Sequence, residues 1–231
     1  MVERSLPEAA AFDCDGTIAD TESLSEIAWA DILRSRGVAW TADDFNALVG
    51  RSFEVNWAHF QRRGDLGDAD TFRRQLRDRF RALFDEHLDV HDDVVATMHE
   101  AATLRIPIAV VSSSTRDHVE RVLERSGVSE LVTVVVAAGD TYRHKPAADP
   151  YLAACQRLGS VPSATAAVED TPTGARSARA AGLWTVAVRR AHAVPELDEV
   201  ADLVVDSVRF EHLRIRPSDG ASGAISRISE R

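Results

Sequence analysis

Of the 27 basic residues in this 231-residue chain, 26 are arginine and only one, Lys145, is lysine. Cysteine is nearly as scarce: Cys14 and Cys155 are the only two, which excludes a disulfide framework and favours free thiols. There is no run of about 18 apolar residues to span a bilayer, so no membrane partner is expected. The opening stretch MVERSLPEAAAF lacks the long apolar core and small-residue cleavage site of a secretory leader, which points to a cytoplasmic protein. Positive charge is itself in deficit. A formal net charge of −10 disfavours nucleic acid as a partner, because affinity for it rests on Lys and Arg neutralising phosphates. An anionic ligand would have to be met by local positive charge.

What is present is the composition of an ordinary globular protein, 45% hydrophobic and 28% charged, long enough for one domain or a domain carrying a smaller insert. Short apolar runs end at polar residues: AAAF before Asp13, IPIAVV before Ser112, LVTVVVA before Gly139, ATAAV before Glu169 and LWTVAV before Arg189. They lack the alternation of half-exposed strands and read as buried parallel strands. Helical stretches at 115–126, 149–158 and 173–181 separate them, and the run at 201–205 offers an edge strand. The expected fold class is α/β, a doubly wound parallel sheet.

Residues 20–88 read differently, as helix throughout, with Leu24, Ile27, Ala28 and Ile32, then Phe72, Leu76, Phe80 and Phe84, at helical spacing. A block of this length exceeds what a crossover needs, so an inserted α-helical subdomain is expected. Trp29, Trp40 and Trp57 fall within it and read as bundle core. The predicted organisation is a core of residues 1–19 and 89–215, an insert of 20–88, and a polar tail at 216–231 that is expected to be disordered.

In open α/β sheets ligands bind beyond the carboxyl ends of the strands. The first run delivers Asp13 and Asp15 there, the second Ser112, Ser113 and Ser114, the third leads to Lys145, and the fourth delivers Glu169 and Asp170. A compact ammonium on a flexible stem suits a cluster of phosphate oxygens, and that gives the lone lysine, in RHKP, a reason to be there. Two carboxylates so close would repel one another unless a cation lay between them.

In this chain order the motifs FDCDGTIADTE, VVSSS, HKPAADPY and VEDTPTGARSARAAG resemble the haloacid-dehalogenase-like superfamily, in its phosphatase branch that includes β-phosphoglucomutase. The resemblance runs from residue 10 to about residue 188 and makes the insert correspond to the family's helical cap, which would close over substrate and exclude water. It implies that Asp13 is a nucleophile forming an aspartyl-phosphate and that Asp15 is the acid and base. It also implies Mg²⁺ held by Asp13, the main-chain carbonyl of Asp15, Asp170 and, through water, Glu169. Ser112, Ser113 and Lys145 would neutralise the phosphoryl oxygens, with Thr17 and Arg51 as further substrate contacts.

The same resemblance separates the reactions within the family. Dehalogenases lack an aspartate at the position of Asp15, and phosphonoacetaldehyde hydrolases need a lysine in the cap, where this chain has none. β-Phosphoglucomutase carries an arginine three residues after the cap glycine, where LVGRSFEVN places Phe53. The expectation is therefore Mg²⁺-dependent hydrolysis of a small phosphorylated metabolite, a sugar or polyol phosphate, by a monomer or weak homodimer. A sugar phosphomutase using Arg51 is the alternative, and a non-catalytic binding protein on the same fold is a third reading, disfavoured because Asp13, Asp15, Lys145 and Asp170 are all in place.

Overall fold

Each short apolar run becomes a strand. In the computed structural model, which describes residues 5–41, 44, 53–190 and 196–215, these are β1 (Ala9–Phe12), β2 (Ile108–Val111), β3 (Val132–Val136), β4 (Thr165–Glu169), β5 (Trp184–Val188) and β6 (Leu203–Val205). They form one parallel sheet in the order β3-β2-β1-β4-β5-β6. The order reverses at β1, which pairs with β2 on one side and β4 on the other, so the crevice for a ligand is expected beyond Phe12, Val111 and Glu169. β1, β2 and β4 are buried along their whole length, as continuous apolar runs require. β3 departs from the expected burial: it is the edge strand, and only Val136 at its end is fully buried.

The chain divides into two compact units, Met1–Ala19 with Val90–Arg231, and Asp20–Asp89. Three helices form the second unit as described: α1 (Thr21–Ser35), α2 (Phe53–Gln61) and α3 (Ala69–His87). Asp20 starts α1 by accepting from the Ser23 N–H at 2.9 Å, and Asp68 starts α3 by accepting from the Thr71 N–H at 2.8 Å. The unit is not helical throughout. Residues 36–41 and 62–68 break it, where Gly37 and Gly67 take φ of 71° and 72°. Trp29, Leu33, Phe60, Leu66 and Phe72 make its core, with Trp40, Phe53 and Trp57 packed against it. Ile27, expected on the apolar stripe, is instead exposed. Arg51 and the expected tail at 216–231 lie outside the described residues.

In the sheet unit the connecting helices are α4 (Asp92–Thr103), α5 (Arg116–Arg125), α6 (Asp149–Leu158), α7 (Pro172–Ala180) and the short α8 (Leu197–Val200). Small side chains let helices lie close to the strands: Ala11, Ala109 and Ala167 from the sheet meet Tyr151, Ala154 and Cys155 of α6 and Ala178 of α7. No described helix is long and apolar enough to cross a membrane. Both cysteines are free and buried.

Candidate active site

Asp13 follows β1 directly, and its N–H continues the ladder by donating to the Val168 carbonyl at 2.9 Å. The strand thus aims a buried carboxylate at the end of the sheet. On the neighbouring strand Glu169 closes β4, fully buried, and Asp170 comes next. Oxygens of Asp13, Glu169 and Asp170 lie within 4.8 Å of one another. Such a cluster of like charges needs compensation, and Lys145 supplies part of it. Its ammonium donates to Asp13 Oδ1 at 2.5 Å, to Glu169 Oε1 at 2.6 Å and to the Val111 carbonyl at 2.9 Å. All three N–H bonds of the lone lysine are therefore directed at protein oxygens, and a contact with phosphate would exchange one of them. The Tyr151 hydroxyl also donates to Glu169 Oε1, at 2.5 Å, which fixes that carboxylate from the α6 side.

The electrostatics follow from burial. Loss of water pushes the Asp13 carboxyl up to about 8, with Lys145 opposing the rise and Glu169 and Asp15 adding to it. Burial by itself would lower Lys145, but the charges of Asp13 and Glu169 outweigh it and hold the ammonium above its ordinary range. Burial likewise raises the Tyr151 hydroxyl, and Cys14 between the two aspartates, well above their usual values.

Two glycines make the cluster possible. A Cβ on Gly16, whose φ is 80°, would sit 2.1 Å from Asp170 Oδ2, and a Cβ on Gly174 would sit 2.0 Å from the Glu169 carboxylate. In the first case the left-handed backbone and the close approach both call for glycine. The Thr17 hydroxyl, expected to touch substrate, donates to Asp170 Oδ1 at 2.9 Å and so orients an acid. Arg190 braces the same turn, donating to the Gly16 and Thr17 carbonyls at 3.2 and 3.1 Å while pairing with Asp93 at 3.3 Å.

Asp15 faces other company. Its Oδ2 accepts from the Ser112 hydroxyl at 3.1 Å and the Ser114 hydroxyl at 2.7 Å, and its Oδ1 lies 2.6 Å from His118 Nε2. Ser112 is held in turn by the Ser114 N–H, which donates to its Oγ at 2.9 Å. Ser113 is exposed at the same strand end. Sequence reasoning gave no role to His118, Tyr151, Ser114 or Arg190. Tyr151 sits within the HKPAADPY motif, but nothing in the spacing of His118 or Arg190 marks them.

The donor set fits a hard divalent cation. All three acids offer oxygen, no sulfur or imidazole nitrogen belongs to the cluster, and oxygen-only sites suit Mg²⁺ over softer metals. With all three acids ionised, as a bound cation would hold them, three carboxylates against one ammonium leave two negative charges in excess, which one divalent cation would neutralise.

The family profile described as haloacid dehalogenase-like hydrolase matches residues 10–188. The chain belongs to the haloacid dehalogenase-like hydrolases. This hydrolase is 30% identical to validoxylamine A 7'-phosphate phosphatase of Streptomyces hygroscopicus subsp. limoneus, over 89% of this chain and 98% of that one. It is 34% identical to the fructose-1-phosphate phosphatase of Escherichia coli K12, over 77% and 94% of the two chains. Among solved structures it superposes with CbbY of Rhodobacter sphaeroides in complex with xylulose-(1,5)bisphosphate at a TM-score of 0.77, with 26% identity and coverage of 91% and 100%.

Proposed function

We propose that this hydrolase is a Mg²⁺-dependent phosphatase that cleaves a small phosphorylated sugar or polyol through an aspartyl-phosphate on Asp13. The observation that carries the reading is the buried cluster of Asp13, Glu169 and Asp170 held at one strand-end crevice by Lys145. The phosphatase names of its relatives support the reaction class, and two of those names specify a phosphorylated polyhydroxylated substrate.

Asp13, Asp170 and Glu169, with the main-chain carbonyl of Asp15, would hold Mg²⁺, which when bound would offset the negative charge gathered between carboxylate and phosphate. One carboxylate oxygen of Asp13 attacks phosphorus, the P–O bond to the alcohol breaks, and Asp15 gives its proton to the departing oxygen. Lys145 and the Ser112 hydroxyl, together with the Ser113 N–H, bind the equatorial oxygens. In the second half Asp15 takes a proton from water as that water attacks phosphorus, and the bond to Asp13 breaks to release phosphate. Tyr151, Thr17 and Arg190 position these groups through Glu169, Asp170 and the 16–17 turn. They do no chemistry themselves.

Phe53, at the position where an arginine would grip a second phosphate, lies against Trp29 with ring centroids 5.8 Å apart and beneath Arg73 at 4.2 Å. A side chain committed to the aromatic core supports hydrolysis over transfer between two sugar hydroxyls. The partner is accordingly a small metabolite rather than nucleic acid or membrane, and the working form a monomer or weak homodimer. A panel of sugar and polyol phosphates, assayed for free phosphate and for isomerised ester with Mg²⁺ and with EDTA, tests the reading. Release of phosphate only with Mg²⁺ is expected. Turnover untouched by EDTA, or conversion to an isomer without free phosphate, would overturn it.

A further inference from the structure

Asp15 has to hold one place while its chemical state alternates between acid and carboxylate in every turnover, a requirement that rests on its role as the acid and base proposed above. Its neighbours differ from those of Asp13 in a way that bears on this. Asp13 faces an ammonium, which only donates, so the oxygen it grips is always an acceptor. Asp15 meets two hydroxyls on Oδ2, from Ser112 and Ser114, and an imidazole nitrogen on Oδ1, from His118. Hydroxyls donate or accept with a simple rotation, so Ser114 keeps its contact with Oδ2 whether or not that oxygen carries a proton, even when the Ser112 hydroxyl turns its own proton to phosphate. An imidazole N–H donates equally well to a carboxylate oxygen and to the carbonyl oxygen of a carboxylic acid. With Nε2–H donating, Oδ1 stays an acceptor in both states, and the proton falls to Oδ2.

We propose that His118 is a positioning residue that anchors Oδ1 of Asp15 and thereby reserves Oδ2 as the oxygen through which Asp15 gives and takes its proton. His118 stands in the first turn of α5, and Ser112 and Ser114 belong to the segment leading into that helix. Ser112, Ser114 and His118 therefore reach Asp15 from one short stretch, whose inner side carries the buried Val119 and Val122. The bond between His118 and Asp15 is short, and both side chains are mostly buried, at 21% and 26% exposure. A strongly basic alkoxide leaving group needs Asp15 in register to protonate it; an activated aryl leaving group departs without protonation.

That distinction supplies the test. His118→Ala, His118→Gln, Asp15→Asn and the His118→Ala, Asp15→Asn double variant are assayed with Mg²⁺ on a polyol phosphate and on p-nitrophenyl phosphate for the single-turnover rate of alcohol or phenol release, which reads the first half-reaction alone and leaves out the water attack common to both esters. For His118→Ala, that rate on the polyol phosphate is expected to fall about 10-fold or more, a share of the roughly 100-fold or greater contribution of general acid catalysis. The p-nitrophenyl ester and both KM values should stay within about two-fold, and His118→Gln, whose amide still donates, should recover most of the loss. In the Asp15→Asn background the histidine change should cost nothing further, because the two residues act as one unit. Equal losses on both esters, no loss, or an undiminished loss in the double variant would overturn the role of His118. If Asp15→Asn itself fails to distinguish the two esters, the acid role of Asp15 falls, and this proposal with it.

Discussion

The sheet unit lines its site-bearing strands with alanine and buries charge at their ends, whereas the helical unit buries rings. Ala9, Ala10 and Ala11 of β1, with Ala166 and Ala167 of β4, have no exposed surface, and just beyond them Asp13, Glu169 and Asp170 are buried too. In the helical unit Trp29 packs against Phe60 and Phe72 with centroids 5.7 and 5.3 Å apart, and Arg63 and Arg36 lie over those rings. Buried rings tolerate exchange among shapes of similar volume, because dispersion and apolar burial are not directional. Buried charges tolerate almost nothing, since removing one partner leaves the others uncompensated. The first unit is therefore specified atom by atom, and the second by volume and pattern.

The sharpest break of that contrast is Asp13→Asn, which should reduce phosphate release to background while leaving the circular dichroism of the fold unchanged. Gly174→Ala should come close behind. Its new methyl would meet the Glu169 carboxylate at 2.0 Å, so Mg²⁺ affinity, read by titrating activity against the ion, should fall together with kcat. Lys145→Ala should slow turnover by about 100-fold or more, as expected for a lost electrostatic donor, and a near-native rate in that variant would remove Lys145 from the mechanism.

In the helical unit the largest change available is Trp29→Ala, expected to cost about 3–5 kcal/mol of stability by cavity formation and to be read by urea denaturation. Arg73→Ala, which removes a cation over the Phe53 ring at 4.2 Å, should cost only about 0.5–1 kcal/mol. The last comparison is read through pH rather than by a cavity or a lost ring contact. With EDTA present, burial raises Asp13 from 3.8 to about 8, so between those values the folded chain binds more protons than the unfolded one and stability falls as pH rises. The raised Lys145 acts only above its own ordinary range. The melting temperature in EDTA should therefore drift down from pH 5 to pH 8, Mg²⁺ should restore it most at the upper end, and Asp13→Asn should flatten the slope.

The strands were legible because each apolar run is short, uninterrupted and closed by a polar residue; Asp13, Ser112, Glu169 and Asp170 were legible because they stand where those runs end, and Lys145 because it is the chain's single lysine. The half-exposed β3 misled because an edge strand has the same composition as an interior one when its outer face is valine. The turns at Gly37 and Gly67 were hidden by helical spacing on both sides. His118 was unreadable for a different reason. Its partner is 103 positions away in the chain, and no local pattern announces which helix-start side chain will face an aspartate on another strand. Thr17 shows a contact that the motif does not announce: its hydroxyl donates to Asp170, 153 positions away.

A chain with a single ε-amino group carries a spectroscopic convenience at its buried acidic cluster. Isotope introduced through lysine alone would light one side-chain resonance, from Lys145, whose ammonium bridges Asp13 and Glu169. That one peak would report ligand arrival, cation loading and the acylphosphate stage without any assignment effort.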